Sequence, residues 1–297
     1  MKLPQIRGIY KKNYSLAHLT WFKVGGAADI LFKPEDEEDL IHFLKNNNNK
    51  IATHVIGAGS NIIIRDGGVE GVVIKLGRNF TEITITANNT IIVGAGCLNF
   101  NLARFAQNNF MTGFEFLVGI PGTVGGGVAM NAGSYGSEFK DIVKSVHAID
   151  SLGNKKIIEA EDIGFSYRRN TLPEELIFTK VEFKINFGDR DEIKNKMQII
   201  TSTREITQPI TERTGGSTFA NPEGMMAWEL IDSVSMRGKR IGGAVISEKH
   251  CNFMINECNA TALDLEKLGE LIKKEVFSNL GIQLKWEIKR IGKYEKI

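Results

Sequence analysis

Residues 119–136 read GIPGTVGGGVAMNAGSYG, and eight of the 24 residues from Gly113 to Gly136 are glycine, against 31 in the whole chain. Glycine admits left-handed backbone and lets one segment of main chain approach another closely. Successive N–H groups in such a loop can form a concavity that binds an anion. A shorter stretch of the same character, VIGAGSN, occupies residues 55–61. It is not the dinucleotide fingerprint of a doubly wound fold. The third glycine would fall at Ile62, and IIIRDGG continues as a strand where the fingerprint requires a helix. No GxxxxGK[ST] loop is present either. Two glycine loops on neighbouring strands suit the two phosphates of a dinucleotide; the competing reading is that the glycines fill tight turns.

The rest of the chain sets bounds on that choice. Its 297 residues are 42% hydrophobic and 24% charged, the composition of a folded globular chain with room for two or three domains. A formal net charge of +2 gives no electrostatic case for nucleic acid as the main partner. MKLPQIRGIYKKNYS lacks the apolar core of a signal peptide, and no window approaches the ~18 apolar residues of a membrane span. Cys97, Cys251 and Cys258 are odd in number and lack CxxC spacing, so neither a disulfide framework nor a metal site is expected. The expectation is a cytoplasmic protein with no obligate protein partner.

Along the chain, ADILFK (28–33), THVIG (53–57) and GVVIKL (71–76) read as strands, with an amphipathic EDEEDLIHFLKN helix between the first two. Two hairpins follow, one turning at Asn88-Asn89 and one at Leu152-Gly153-Asn154. LNFNLARFAQNN reads as helix and LIFTKVEFKINF (176–187) as one long strand. Ile193, Met197 and Ile200 recur at helical spacing up to Gln208-Pro209; helices also cover MMAWELIDS and 262–280, where Leu265, Leu268, Ile272 and Val276 share a face. LKWEIKRIG closes the chain as a strand. The expected domains are 1–77, 78–206 completed by the C-terminal strand 282–297, and 207–281.

Taken together, seven segments resemble the UDP-N-acetylenolpyruvoylglucosamine reductase family: FKVGGAAD (22–29), GAGSNIIIRDGG (57–68), GFEFLVGIPGTVGGGVAMNAGSYG (113–136), SYRRN (166–170), GGSTFANP (215–222), AWELIDSVSMRGKRIGGAVISEKHCNFMIN (227–256) and LKWEIKRIG (284–292). Each glycine loop alone is a weak signal; all seven in this order are specific. The resemblance implies an α+β fold, with two FAD-binding subdomains of the vanillyl-alcohol oxidase type and a C-terminal α+β substrate-binding domain. It implies noncovalent FAD, NADPH as hydride donor, and reduction of UDP-N-acetylglucosamine enolpyruvate to UDP-N-acetylmuramate for peptidoglycan. Only seven residues separate Asn170 from Phe178, so the chain resembles the shorter branch, without the extra tyrosine-bearing loop.

The resemblance also assigns residues. Cofactor contacts fall on Gly57, Ala58, Gly59, Ser60 and Asn61, and on Gly119, Ile120, Pro121, Gly122, Thr123, Gly125, Gly126, Asn131, Ala132 and Gly133. Arg168 would hold and polarise the substrate carboxylate, a planar anion that guanidinium matches bidentately. Ser217 would deliver the proton, and Glu287 would assist as a protonated donor or by orienting Arg168. Tyr135, Asn221 and His250 match substrate positions, and Lys249, Arg213 and Arg204 are candidates for the diphosphate. Ala220 and Asn170 depart from the residues common in the family. Two other readings remain: an FAD oxidase or dehydrogenase acting on another substrate, and a non-catalytic nucleotide-binding protein that has kept the fold.

Overall fold

The computed structural model describes residues 3–47 and 51–295. The chain divides into two compact units. The first draws on the described residues up to Lys12, from Ile30 to Ala58 and from Gly71 to Ser202; the second takes Asn13–Asp29, Gly59–Glu70 and the described residues from Thr203 onward.

The first unit is built around two hydrophobic clusters. In the smaller, Phe32, Leu40, Phe43, Val72 and Ile74 pack together, with Tyr10 against them. Its strand Thr53–Val55 runs parallel to 72–74, and the helix Glu37–Asn47 buries Leu40, Ile41, Phe43 and Leu44 on one face. Asp39, in the first turn of that helix, accepts the N–H groups of Arg7, Gly8 and Glu35 at 2.7, 2.9 and 3.0 Å.

The larger cluster lies on a five-stranded antiparallel sheet in the order Lys155–Glu159, Val143–Ile149, Ile177–Lys184, Thr90–Gly94, Ile83–Ile85. Both expected hairpins form here. Asn89 adopts φ +52° in the first, and in the second the Asp150 carboxylate accepts the Leu152 and Asn154 N–H groups. Ile177–Lys184 alternates as a half-buried strand does, with Ile177, Thr179, Val181 and Phe183 inward. It is shorter than its sequence pattern: after Ile185 the chain changes partner, and Asn186–Phe187 pairs with Met111–Thr112. The helix Arg190–Thr207 buries Ile193, Met197 and Ile200, the residues its periodicity picks out.

The glycine-rich segment belongs to this core. Phe114, Phe116 and Leu117 are buried, and Val124–Ala129 forms one short helix. A Cβ on Gly127 would lie 2.2 Å from the ring of Phe139, and one on Gly125 would lie 2.9 Å from Ala95. These two glycines let the helix sit directly on a buried ring and on the chain after Thr90–Gly94.

The second unit is an antiparallel sheet, ordered Thr214–Ser217, Phe253–Asn256, Ala244–Ile246, Arg240–Ile241. The helix Ala262–Leu280 covers it with Leu265, Leu268, Ile272 and Val276 buried. A capping box of Thr261 and Asp264 starts that helix, and Gly281 at φ +70° ends it. Arg65 grips the buried carboxylate of Glu266 through Nε at 2.8 Å and Nη2 at 3.3 Å, and the Tyr294 hydroxyl donates to the same group at 2.9 Å.

Two sequence readings are revised, and one strand is added. LKWEIKRIG does not complete the 78–206 sheet. It lies in the second unit and splits in two: Lys285–Trp286 pairs antiparallel with Phe219–Ala220, and Lys289–Ile291 pairs parallel with Ile62–Ile64. The break at Glu287-Ile288 is the point where it changes partner. Residues 59–70 also belong to the second unit, so the expected boundary at 77 cuts across the fold. The N-terminal stretch contains a strand, Ile9–Ser15, that has too few buried side chains to show an alternating pattern. Among the described residues no helix is long and apolar enough to cross a membrane.

The packing at Gly127 separates two glycines that look alike in sequence. Gly127→Ala forces a methyl into a buried ring and lowers unfolding free energy by about 1–3 kcal/mol. Gly126→Ala meets only the Thr123 Oγ1 at 3.3 Å and changes stability by under about 1 kcal/mol. Equilibrium urea unfolding of the two variants measures the contrast; equal losses would mean that the helix does not rest on Phe139.

Candidate active site

In the first unit the two glycine loops meet. A Cβ on Gly57 would lie 2.6 Å from Thr123 Oγ1, so the bare Gly57 lets that hydroxyl approach. Lys75 Nζ donates to the Gly57 carbonyl at 2.6 Å, and burial lowers the pKa of this lysine. Sequence reading had missed Lys75, whose only signal is a lysine inside an otherwise apolar strand end. Ala58 follows Gly57 in this unit, while Gly59, Ser60 and Asn61 lie in the other.

Hydrogen-bond accounting narrows what the second loop can offer an anion. The N–H groups of Val124 and Gly125 donate to the carbonyls of Cys97 and Ala95, both at 2.8 Å. Those of Gly126 and Gly127 go to Thr123, the first to its hydroxyl and the second to its carbonyl. The start of this helix is therefore consumed inside the protein. The turn after the helix, Asn131–Gly133, is spent in the same way, with the Asn131 and Ala132 N–H groups on the carbonyls of Val128 and Gly127 at 3.0 and 2.8 Å, and before the helix the Ile120 N–H goes to the Leu117 carbonyl.

That later turn carries the guanidinium. Asn131 is buried at φ +38°; its Nδ2 donates to the Ser166 carbonyl at 3.0 Å and to the Glu138 carboxylate, and its Oδ1 accepts the Lys140 N–H. The bond to Ser166 fixes a tight turn, closed by reciprocal Ser166 and Arg169 backbone bonds. Arg168 sits inside it at φ +58°, with Nη2 donating to the Gly133 carbonyl at 3.0 Å and its guanidinium 4.8 Å from the Tyr167 ring centre. The Asn170 amide donates to the carbonyls of Val128 and Ala129, tying the same turn to the glycine helix. Tyr135, also at positive φ, donates from its hydroxyl to the Ile200 carbonyl at 3.4 Å.

In the second unit Ser217 and Glu287 are linked through one intervening residue, Thr218. Ser217 ends the strand Thr214–Ser217, after Gly216 at φ +76° and a register irregularity against Phe253–Asn256. The next residue, Thr218, is fully buried, and its carbonyl accepts the N–H of Glu287 at 2.9 Å. Asn61 holds the same point from the other side. Its Nδ2 donates to the Glu287 carbonyl at 3.3 Å, and its carbonyl accepts the Lys289 N–H at 3.1 Å. The two residues assigned to proton delivery are thus brought together; Arg168 belongs to the other unit.

His250 lies in the same unit, on the loop before Phe253. Its Nδ1 accepts the Asn252 N–H at 3.3 Å, and its ring meets Phe253 edge-on at 4.7 Å. Burial above all, with Arg237 adding to it, holds its pKa below the usual 6.5. Arg237 clasps Asp232 at 2.9 and 2.6 Å, and Cys251 donates its thiol to the same carboxylate. Burial and that carboxylate push the thiol up to about 12, which makes Cys251 a packed side chain and not a nucleophile. Asn221 accepts the Ala227 N–H at 2.9 Å and so starts the helix Ala227–Ser233. Of the three residues considered for a diphosphate, Lys249 donates to the Glu205 carbonyl and Arg204 to the Gln208 amide oxygen, while Arg213 offers its own carbonyl to the Asn256 N–H.

Known proteins match this layout. The sequence profile of an FAD binding domain matches residues 28–158, which places the chain among α+β proteins with a flavin-binding domain. A second profile, the C-terminal domain of UDP-N-acetylenolpyruvoylglucosamine reductase, matches residues 208–291. The UDP-N-acetylenolpyruvoylglucosamine reductase of Rickettsia akari is 60% identical over 98% of this chain and 99% of its own, and that of Rickettsia massiliae is 61% identical over the same shares. The crystal structure of the Thermus caldophilus reductase superposes with a TM-score of 0.83 at 32% identity, over 96% of this chain and 99% of that one. The chain belongs to the UDP-N-acetylenolpyruvoylglucosamine reductase family.

His250 gives a pH signature of folding. Its pKa is depressed in the fold, as are those of His54 and His147, burial being the first cause for each. The unfolded chain therefore takes up these protons first. Their stabilisation is complete above about pH 6.5 and is lost as pH falls through the folded values. His250→Gln keeps a polar acceptor without the charge and flattens part of that decline. Melting temperatures of both proteins between pH 8 and 5 report it; parallel curves would remove His250 from the linkage.

Proposed function

We propose that this protein is an FAD-dependent, NADPH-consuming reductase that converts UDP-N-acetylglucosamine enolpyruvate to UDP-N-acetylmuramate for peptidoglycan. The observation that carries this reading is the Thr218 peptide, which ties Ser217 to Glu287 next to the bulged strand end. Membership of the family supplies the substrate and the cofactor.

The first loop fits a diphosphate-bearing cofactor: Gly57 without a side chain, Thr123 within reach of it, and an ammonium at the Gly57 carbonyl. Gly57, Ala58, Gly59, Ser60 and Asn61 on one loop, with Gly119, Ile120, Pro121, Gly122, Thr123, Gly125, Gly126, Asn131, Ala132 and Gly133 on the other, are the residues we assign to it. These residues would hold FAD, whose chemistry there would be the relay of hydride from NADPH to the terminal vinyl carbon of the substrate. Charge then develops on the enolpyruvyl carboxylate, and Arg168 holds and polarises that group. Tyr167 and the Gly133 carbonyl set the place of the Arg168 guanidinium. Ser217 delivers the proton to the alpha carbon, with Glu287 assisting. Tyr135, Asn221 and His250 contact the substrate, His250 as a neutral imidazole whose Nδ1 is already occupied.

In domain terms, 78–206 belongs to the FAD-binding part of the chain and 207–281 is the substrate-binding domain. The three free thiols accord with a cytoplasmic location.

The flavin is held without a covalent link. Cys97 is buried, with its thiol pushed up to about 11, and His54 is held neutral by burial. Acid precipitation of the yellow protein releases all flavin to the supernatant; flavin left in the pellet would contradict this. Ser217→Ala separates the two half-reactions. NADPH bleaches the flavin at nearly the normal rate, because no carbon is protonated in that step. Reoxidation by the enolpyruvyl substrate falls by about 10²–10⁴-fold, the usual worth of general acid catalysis. Stopped-flow flavin absorbance resolves both steps, and normal reoxidation would take Ser217 out of the mechanism and leave Glu287 as the acid.

A further inference from the structure

The geometry points to Asn252 as the positioning residue of the proton-delivering end of this site. The inference rests on the reading of Ser217 as proton donor. Ser217 is the last residue of its strand to pair with Phe253–Asn256, and two residues later Phe219 pairs with Trp286 on a different strand. Between those partners no regular ladder holds the chain, and the residue assigned to proton transfer sits at the changeover.

Asn252 bridges the gap. Its side-chain Oδ1 accepts the Phe219 N–H at 2.9 Å, and its Nδ2 donates to the Phe219 carbonyl at 2.8 Å. Its own carbonyl accepts the Thr218 N–H at 2.7 Å. The side-chain amide thus does for Phe219 what a neighbouring strand would do, with donor and acceptor on one carbon matched to the N–H and C=O of one residue. Asn252, Thr218 and Phe219 are 3%, 0% and 1% exposed, so water cannot take over these bonds. Aspartate lacks the donor, and glutamine carries the amide one methylene too far. On its other side Thr218 accepts the Glu287 N–H, so a shift of this peptide displaces Ser217 and Glu287 together.

The test uses flavin-loaded enzyme in stopped flow, comparing wild type, Asn252→Ala, Asn252→Asp and Ser217→Ala. Asn252→Ala leaves NADPH reduction of the flavin within about twofold of wild type. It slows reoxidation by substrate by about 100-fold, the effect of misplacing a reacting group by about 1 Å. The loss falls on kcat more than on KM. Asn252→Asp matches Asn252→Ala at pH 8 and recovers as pH falls, because a protonated carboxyl again presents O–H to the Phe219 carbonyl and C=O to its N–H. His250, Cys251 and, across Thr218, Glu287 are the ionisable groups nearby; wild type shares them, so the ratio to wild type isolates residue 252. If Ser217→Ala loses reoxidation while Asn252→Ala keeps it, the positioning role is wrong. If Ser217→Ala itself reoxidises normally, the proton-donor reading fails, and with it this one. Should Asn252→Ala not hold flavin, the aspartate variant decides: a ratio to wild type flat in pH overturns the inference.

Discussion

A hydrogen atom in place of a methyl group at Gly127 decides how the first unit can pack. The Phe139 ring occupies the volume that a Cβ would need. Around it, Phe116 and Phe183 meet the same ring at 6.1 and 6.2 Å. With that approach allowed, the Val124–Ala129 helix lies on the sheet and brings its two ends to fixed places: Thr123 beside Gly57, and Asn131 over the turn that carries Arg168. Core packing and site geometry here are one constraint. Much of the glycine that opens the question in the sequence is used by the protein on itself.

This is also where sequence reading met its limit. Periodicity placed the long helices well, because Ile193, Met197 and Ile200 on one, and Leu265, Leu268, Ile272 and Val276 on another, each bury one face against a sheet. The hairpins were legible from their turn residues. Partner exchange was not. LKWEIKRIG alternates like one strand, yet it leaves one partner at Trp286 and takes another at Lys289, and alternation is blind to which strand lies alongside. The same holds for the strand that breaks at Ile185. Glycine in sequence likewise does not reveal whether its missing side chain makes room for a ligand or for the protein's own atoms.

For the site, motif resemblance named Arg168, Ser217 and Glu287, and the structure adds the scaffolding each needs. None of that scaffolding has a local signature. Asn61 reaches Glu287 across 226 positions, and Asn252 reaches Phe219 across 33. Such contacts depend on buried amides matched to a single peptide group. An asparagine in a string of ordinary residues carries no mark of that duty. Lys75 is comparable, since its ammonium finds the Gly57 carbonyl only after the strand is in place.

Arg168 holds a left-handed backbone that a side chain with a Cβ adopts at a cost of about 1–3 kcal/mol. Asn131 and Tyr135 share that burden in the same region. Glycine at 168 would relax the turn and enlarge the margin of folding, yet it would remove the guanidinium at a stroke. A search for sturdier variants of this protein, scored on melting alone, would therefore drift toward sequences that fold better and lack the guanidinium we assign to the substrate carboxylate. At this turn the most comfortable residue for the chain and the residue we propose for the chemistry are different residues.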